Sequence, residues 1–330
     1  MQNLRKFKVA TKLFLDRFRP YPYIMGLMPR PGYIARTLGS VIHESAVVKG
    51  KLNLSEPAWF QMNSGAFIEN LTISGMHFCY IGENCSIHDR HIDQNTFVLN
   101  NQIIQGVDNC VKELTVSVDL EGAYSLAEGS TGNHQLIQKE SADRARQIHS
   151  IFKESGIKST WFVVGDLFED RYMGPVCDEI MADPDIEIGW HTQNHINYFS
   201  VSEHEVDRDL ECAARVRLRH SLELKSMAFP YNAVGFVDKV VSAGFSRIRG
   251  YVGQFYIPAT VDFGNFVFMG TSMFVGPDTV ENCLNKIPQK PANFNIFLHP
   301  VDWIGHDISP LRHFMRNVQK PEKVMEKYHC

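Results

Sequence analysis

Two histidines stand four residues apart in the run Gly189-Trp190-His191-Thr192-Gln193-Asn194-His195, directly after the alternating Asp185-Ile186-Glu187-Ile188, which reads as a strand entering a tight turn. On one helical turn residues i and i+4 share a face, so both imidazoles could approach a single metal ion. In a chain with 14 histidines such a pair is weak evidence by itself and needs partners. Polar residues at the ends of other strand-like runs supply them. Asp119 and Glu121 follow Leu114-Thr115-Val116-Ser117-Val118, Tyr231 follows the run 226–229, and His299 follows Phe294-Asn295-Ile296-Phe297-Leu298. Two neutral imidazoles and one carboxylate with open positions suit zinc or a similar divalent ion, which lowers the pKa of a bound water. A second carboxylate could take that water's proton, and a separate histidine could protonate a leaving group. Asp119 and Glu121 are two apart, and a local kink would let one reach the metal and the other the water. Structural roles compete with each: His191 and His195 as core histidines, Asp119 as a turn residue, His299 as a strand-end cap.

Such a set works only if its strands end on one face. The spacing of apolar residues predicts strands over 114–118, 160–164, 226–229, 245–248 and 294–298, and helices over 144–154, closed by Gly156, and 235–242. Ser202-Glu203-His204-Glu205 is a capping box that opens a further helix through about Arg219. Alternating strands and helices imply an α/β barrel or a doubly wound sheet. In a parallel barrel the βα loops converge at the strand ends, where the polar residues stand.

The pieces Ser117-Val118-Asp119-Leu120-Glu121, His191-Thr192-Gln193-Asn194-His195, Phe229-Pro230-Tyr231 and Leu298-His299-Pro300, in that order, resemble the polysaccharide deacetylase family (NodB homology, carbohydrate esterase 4) over roughly 113–305. The most specific piece is His-Thr-Gln-Asn-His, which fits H-[ST]-x-x-H. The resemblance implies a distorted (β/α)7 barrel, with Asp119 as catalytic base, Glu121, His191 and His195 as metal ligands and His299 as general acid. It also implies that the Tyr231 backbone N–H donates to the oxyanion. Two departures from the family pattern stand out. Many members carry adjacent aspartates where Leu120 here separates Asp119 from Glu121, and Ala228 occupies the place of an arginine that orients the base. Arg247 or Arg249, on the next strand, would substitute. Trp303 reads as a core or pocket-wall aromatic that could also stack on a sugar. The implied activity is metal-dependent removal of an N-acyl group, acetyl first, from an amino sugar, with Zn2+ as the expected ion. A nucleotide- or lipid-linked precursor of a surface glycan is the expected substrate. The alternatives are an inactive relative that binds glycan or protein partners, a deformylase, and a hydrolase of a non-sugar amide.

Upstream of 111–330, residues 41–110 read as a small β-rich accessory domain. Ile81–Ser86 and Ile87–Ile92 look like degenerate hexapeptide units, so a short left-handed β-helix is one form it could take, and such a module could drive homo-oligomer formation. His88 and His91 there read as exposed coil residues in preference to a metal pair. Gly106-Val107-Asp108-Asn109 reads as a turn at the domain boundary. Residues 1–40 carry eight basic residues against Asp16 alone, within a chain of net charge -4. Leu4, Phe7, Phe14, Leu15 and Phe18 recur at helical spacing among them, so residues 1–20 could lie on an anionic membrane surface, and a proline-rich linker follows. A net basic balance is confined to this head, with net negative charge over everything after it, which argues against a nucleic-acid partner. Seven cysteines without CxxC spacing, no run of 18 apolar residues and no apolar leader with a cleavage site together predict a cytoplasmic protein, peripheral at the inner membrane surface if the head binds lipid.

Overall fold

Gly50, Asn70 and Asp89 recur at intervals of 20 and 19 residues, and all three adopt positive φ (72°, 56° and 45°). Glycine, asparagine and aspartate tolerate that region best, so the chain can bend at the same place in successive coils. In the computed structural model these bends stack. The Asn70 side chain accepts the Lys51 N–H at 2.9 Å and donates to Asp89 at 2.7 Å. The structure describes residues 41–318 apart from 44, 55–58, 75–77, 109–113, 126–132, 251–259, 272 and 287–293. The predicted helix 4–18 and its linker lie outside the described residues.

The coils lay down β1 (Val41–Ile42), β2 (Val47–Leu54), β3 (Trp59–Met62), β4 (Phe67–Ile73), β5 (Phe78–Ile81), β6 (Ser86–Ile92) and β7 (Asn95–Leu99), each pairing in parallel with the next but one. Odd strands form one side and even strands the other. Val47 pairs with Phe67 and Phe67 with Ser86, so this side repeats every 20 or 19 residues, not in multiples of six as hexapeptide units would. Ile68, Leu71, Ile73, Ile87 and Ile92 fill the interior with Phe60, Met62 and Ile81. His88 and His91 are exposed but lie on a strand, not in coil. His88 meets Glu69 of the preceding coil at 3.2 Å, and His91 meets Ser74 at 2.7 Å.

β8 (Gln102–Asp108) turns back on β7 and pairs antiparallel at its far end with a strand of the second region. Gly106–Asp108 is therefore strand where a turn was expected. A Cβ on Gly106 would meet Val261 and Phe263 within 2.6 Å, so this glycine serves close approach of two strands, not a bend.

The second region alternates as expected: β9 (Leu114–Leu120), α1 (His134–Ser155), β10 (Ser159–Val163), α2 (Gly174–Met181), β11 (Ile186–Trp190), α3 (Glu203–His220), β12 (Ser226–Ala228), α4 (Val237–Ser242) and β13 (Arg247–Gly250). Then follow β14 (Thr260–Asp262), β15 (Val267–Gly270), β16 (Met273–Phe274), α5 (Val280–Lys286), β17 (Phe294–Leu298) and α6 (Ser309–Val318). The order β14-β15-β13-β12-β11-β10-β9-β17-β16 makes a curled nine-stranded sheet, parallel throughout except at β14, which is the distorted barrel the motifs implied. The curl is visible in side chains: Arg249 on β13 reaches Ser117 and Asp119 on β9, four strands away. Helix α1 starts ten residues before the expected point, at the Asn133 N-cap, and ends at Gly156 in the left-handed conformation. Its first buried positions are Gln138, Ser141 and Ala142, small or polar residues that blur an apolar period. Both halves of the capping box at Ser202 and Glu205 form.

The two regions share a polar junction at Glu83, whose Oε1 accepts the Phe236 N–H at 2.9 Å and whose Oε2 is buried with no partner among the described residues. Burial pushes this carboxyl up from 4.5 to about 7. An acid with a higher pKa folded than unfolded takes up a proton on folding, so stability falls as pH rises from 4.5 towards 7. The expected loss is at most about 3 kcal/mol. Urea unfolding at stepped pH should show that slope in the wild type and a flatter one in Glu83→Gln; equal slopes would reject it.

Candidate active site

Strand β9 has a period of two, which puts Val116, Val118 and Leu120 in the core against the helices and Ser117, Asp119 and Glu121 on the barrel's inner face. No kink is needed to bring both carboxylates to the site. Glu121 Oε1 lies 3.2 Å from His191 Nε2 and 3.1 Å from His195 Nε2, and all three residues are buried. His191 Nδ1 is 2.8 Å from the Ala228 carbonyl, which can only accept, so in the neutral imidazole that a metal ligand must be, Nδ1 carries the proton and Nε2 presents a lone pair to Glu121. Electron pairs facing one another in a buried spot are unfavourable without a cation between them. Ligands of one tetrahedral zinc at ordinary bond lengths stand about 3.3 Å apart. The donor set and its spacing fit such an ion, and the bond from Nδ1 to a carbonyl is the usual means of orienting a ligand histidine.

The two histidines do not share a helical turn. Residues 191–197 form a loop after β11 in which Thr192 and His195 take positive φ (63° and 61°). Backbone bonds from Gly165 to Thr192 and from Asp166 to Gln193 hold it against the loop after β10. From below, buried Asp209 of α3 accepts from Trp190 Nε1 (2.9 Å), Tyr198 Oη (2.7 Å) and the Gln193 N–H (2.5 Å). Sequence reading missed this residue, yet a lone acid in the buried stripe Val206-Asp209-Ala213 was the available signal. Asp209→Ala leaves three buried donors without an acceptor, each worth about 1–3 kcal/mol. The expected result is a stability loss of about 3 kcal/mol or more and metal affinity weakened about 10–100-fold. Denaturant unfolding and metal titration check both; unchanged affinity would remove the bracing role.

Asp119 is held differently. Its Oδ2 accepts from Arg249 Nη2 at 2.5 Å and lies 3.5 Å from His299 Nε2, while Oδ1 is buried with no partner among the described residues. Burial opposes the charge, but Arg249, then His191 and His299, outweigh it and hold this carboxyl well below its ordinary value. Asp119, Glu121 and His299 also lie close enough to share an ion. The Arg249 guanidinium on Asp119 makes that trio the poorer ligand set. Arg249, not Arg247, is thus the arginine that contacts Asp119, and it stands directly beside Ala228 across β12 and β13. Arg247 binds Glu187 and Ser226 one strand repeat below, at the barrel's other end. The strand expected at 245–248 in fact runs Arg247–Gly250, which carries Arg249 to the inner face.

His299 follows β17. Its Nδ1 lies 2.8 Å from Asp302 Oδ2, a partner not foreseen, and its Nε2 faces Asp119 and Glu121. Burial works against the imidazolium, but Glu121, Asp119 and Asp302 together hold its pKa well above the ordinary histidine value. Tyr231 sits in a turn at φ 57°, 44% exposed, with its ring 4.6 Å from that of His195. Trp303 is wholly buried in the core, so it offers no face to a sugar.

Residues 138–236 match the polysaccharide deacetylase family model, a span that includes the His191–His195 loop and Tyr231 but neither Asp119 and Glu121 nor His299. That segment carries the polysaccharide deacetylase signature. The solved structures similar to this chain include a polysaccharide deacetylase from Mycobacterium smegmatis, 14% identical, with TM-score 0.50 over 62% of this chain and 82% of that one. Puue allantoinase is likewise 14% identical, with TM-score 0.51 over 62% of this chain and 83% of that one. At this identity they show the fold alone. No curated protein matches the sequence.

Proposed function

We propose that the deacetylase domain is a metal-dependent hydrolase that removes an N-acyl group, acetyl first, from an amino sugar. The observation that carries this reading is the division between two neighbouring carboxylates: Glu121 faces both histidines, whereas Asp119 is clamped by Arg249 on one oxygen while the other has no partner among the described residues. Glu121, His191 and His195 would hold a divalent ion, zinc suiting these donors, and the ion would supply Lewis acidity and lower the pKa of the attacking water. Asp119, kept ionised beside Arg249, accepts the proton of the attacking water at Oδ1. The Tyr231 backbone N–H is the proposed donor to the oxyanion. His299, kept protonated by its carboxylate neighbours and oriented by Asp302, gives its Nε2 proton to the departing amine.

The fold is shared with an allantoinase, so the fold by itself does not select a sugar. A nucleotide- or lipid-linked amino sugar remains the proposed substrate, with residues 1–20 as a peripheral membrane contact at the cytoplasmic surface. Among the described residues no helix is long and apolar enough to cross a membrane. The test is release of acetate or formate by zinc-loaded protein from a panel of nucleotide-linked, lipid-linked and oligomeric N-acyl amino sugars, with allantoin as the non-sugar arm. Chelation should abolish turnover and zinc restore it. Silence across the sugar arms with turnover of allantoin would move the activity to another amide. Vesicle flotation with and without residues 1–20 checks the membrane part.

A further inference from the structure

The turn that carries Tyr231 is conformationally expensive: Tyr231, Asn232 and Phe236 all take positive φ (57°, 55° and 48°) within six residues, and none is glycine. Such a segment persists only where its surroundings determine it. On one side it rests on the metal-site loop, because a Cβ on Gly235 would lie 2.5 Å from the Tyr198 carbonyl oxygen and Phe229 packs against Tyr198 at 5.5 Å between rings. On the other side it rests on the coiled β region. Gln61 Nε2 donates to the Val234 carbonyl at 2.6 Å and to Asn63 Oδ1 at 2.6 Å. Asn63 Nδ2 donates to Tyr80 Oη at 2.7 Å and to Glu83 Oε1 at 2.5 Å, and Glu83 Oε1 also takes the Phe236 N–H. Gln61 and Asn63 are buried polar residues whose side chains are committed to this one contact. A second touch runs from His43 to Phe199, 5.3 Å between rings, just beyond His195.

We infer that Gln61, Asn63 and Glu83 of the N-terminal β region are positioning residues for the active site, a clamp that holds the 229–237 segment, and with it the Tyr231 N–H, in the conformation turnover needs. The inference rests on the deacylase reading for its catalytic half and on geometry alone for its conformational half. It gives the β region a part in the chemistry although none of its described residues reaches the site.

The test uses the full chain, zinc-loaded, with Asn63→Ala, Glu83→Ala and the isosteric Glu83→Gln, which keeps the acceptor at Oε1. Backbone hydrogen exchange over 229–237 is expected to rise at least tenfold in both alanine variants, with exchange over α1, zinc content and KM unchanged and kcat down on the order of tenfold. Glu83→Gln should restore both exchange and kcat. Exchange over 229–237 equal to wild type would overturn the clamp, as would a rise spread equally over α1, which marks general loosening. If an alanine variant fails to fold, Gln61→Met removes only the amide's bonds to Val234 and Asn63 and carries the same readouts. Exchange is read without turnover, so a localised rise in a protein that hydrolyses nothing refutes the deacylase reading and leaves the clamp standing.

Discussion

Asp119→Asn is expected to lower kcat by about 10²–10⁴-fold while the purified protein keeps its zinc, and Glu121→Gln is expected to lose the metal itself. The two carboxylates are neighbours on one strand face, so the contrast tests their environments and not their location. Asparagine keeps the shape of Asp119 and can still accept from Arg249, but its free atom can no longer take a proton, so the loss falls on kcat with KM little changed. Glu121 has both histidine Nε2 atoms within 3.2 Å of one oxygen. An amide there either turns its N–H groups onto those lone pairs or offers a neutral oxygen, a weaker ligand for a divalent ion. Elemental analysis beside the acetate assay decides the assignment. If Asp119→Asn lost the metal and Glu121→Gln kept it, the two roles would have to be exchanged.

What made the site legible in sequence was the strand-end rule. Asp119, Glu121, His191, Tyr231 and His299 each stand at or just past the end of a parallel strand, and a polar residue there interrupts a run of apolar ones. The residues that support them were hidden for physical reasons. Arg249 acts across the barrel on Asp119, 130 positions away, and only the curl of the sheet brings them together. Asp209 sits in a helix, where an acid is ordinarily read as part of the wet face. The loop geometry of His191 and His195 was out of reach because positive φ at Thr192 and His195 is imposed by bonds to the neighbouring loop, not by glycine. Upstream, the hexapeptide reading found the parallel coils but mistook their period. The left-handed positions Gly50, Asn70 and Asp89 carry the true repeat, and they are three different residue types. The polar junction of Gln61, Asn63 and Glu83 was unreadable for a simpler reason: its partners, the Val234 carbonyl and the Phe236 N–H, are backbone groups that any residue would supply.

Arg249 should be the costliest position for the fold. The guanidinium is buried, bonded to Ser117 and Asp119, and lies over the rings of Phe162 and Phe297 at 4.7 and 5.2 Å. Arg249→Met fills much of the volume but leaves the Asp119 carboxylate buried without its main counter-charge, a change that typically costs about 3–5 kcal/mol. The pH dependence follows from the direction of the Asp119 shift. Its folded pKa lies below the unfolded value of 3.8, so the stability it contributes is present above that value and lost as pH falls through the folded pKa. Without Arg249 the largest influence opposing burial is gone, so the carboxyl moves up from its wild-type position and the acid loss of stability should begin at higher pH than in the wild type. The same upward move carries the acid limb of kcat to higher pH, because Asp119 must be ionised to accept a proton. Arg249→Lys should fall between the two, since an ammonium retains the charge but not the fork that serves Ser117 and Asp119 together. Urea unfolding across acid to neutral pH, paired with the kcat profile, checks both limbs. A stability loss below about 1 kcal/mol would mean that Arg249 does not carry the burial of Asp119, and an unmoved acid limb would mean that Asp119 is not the base.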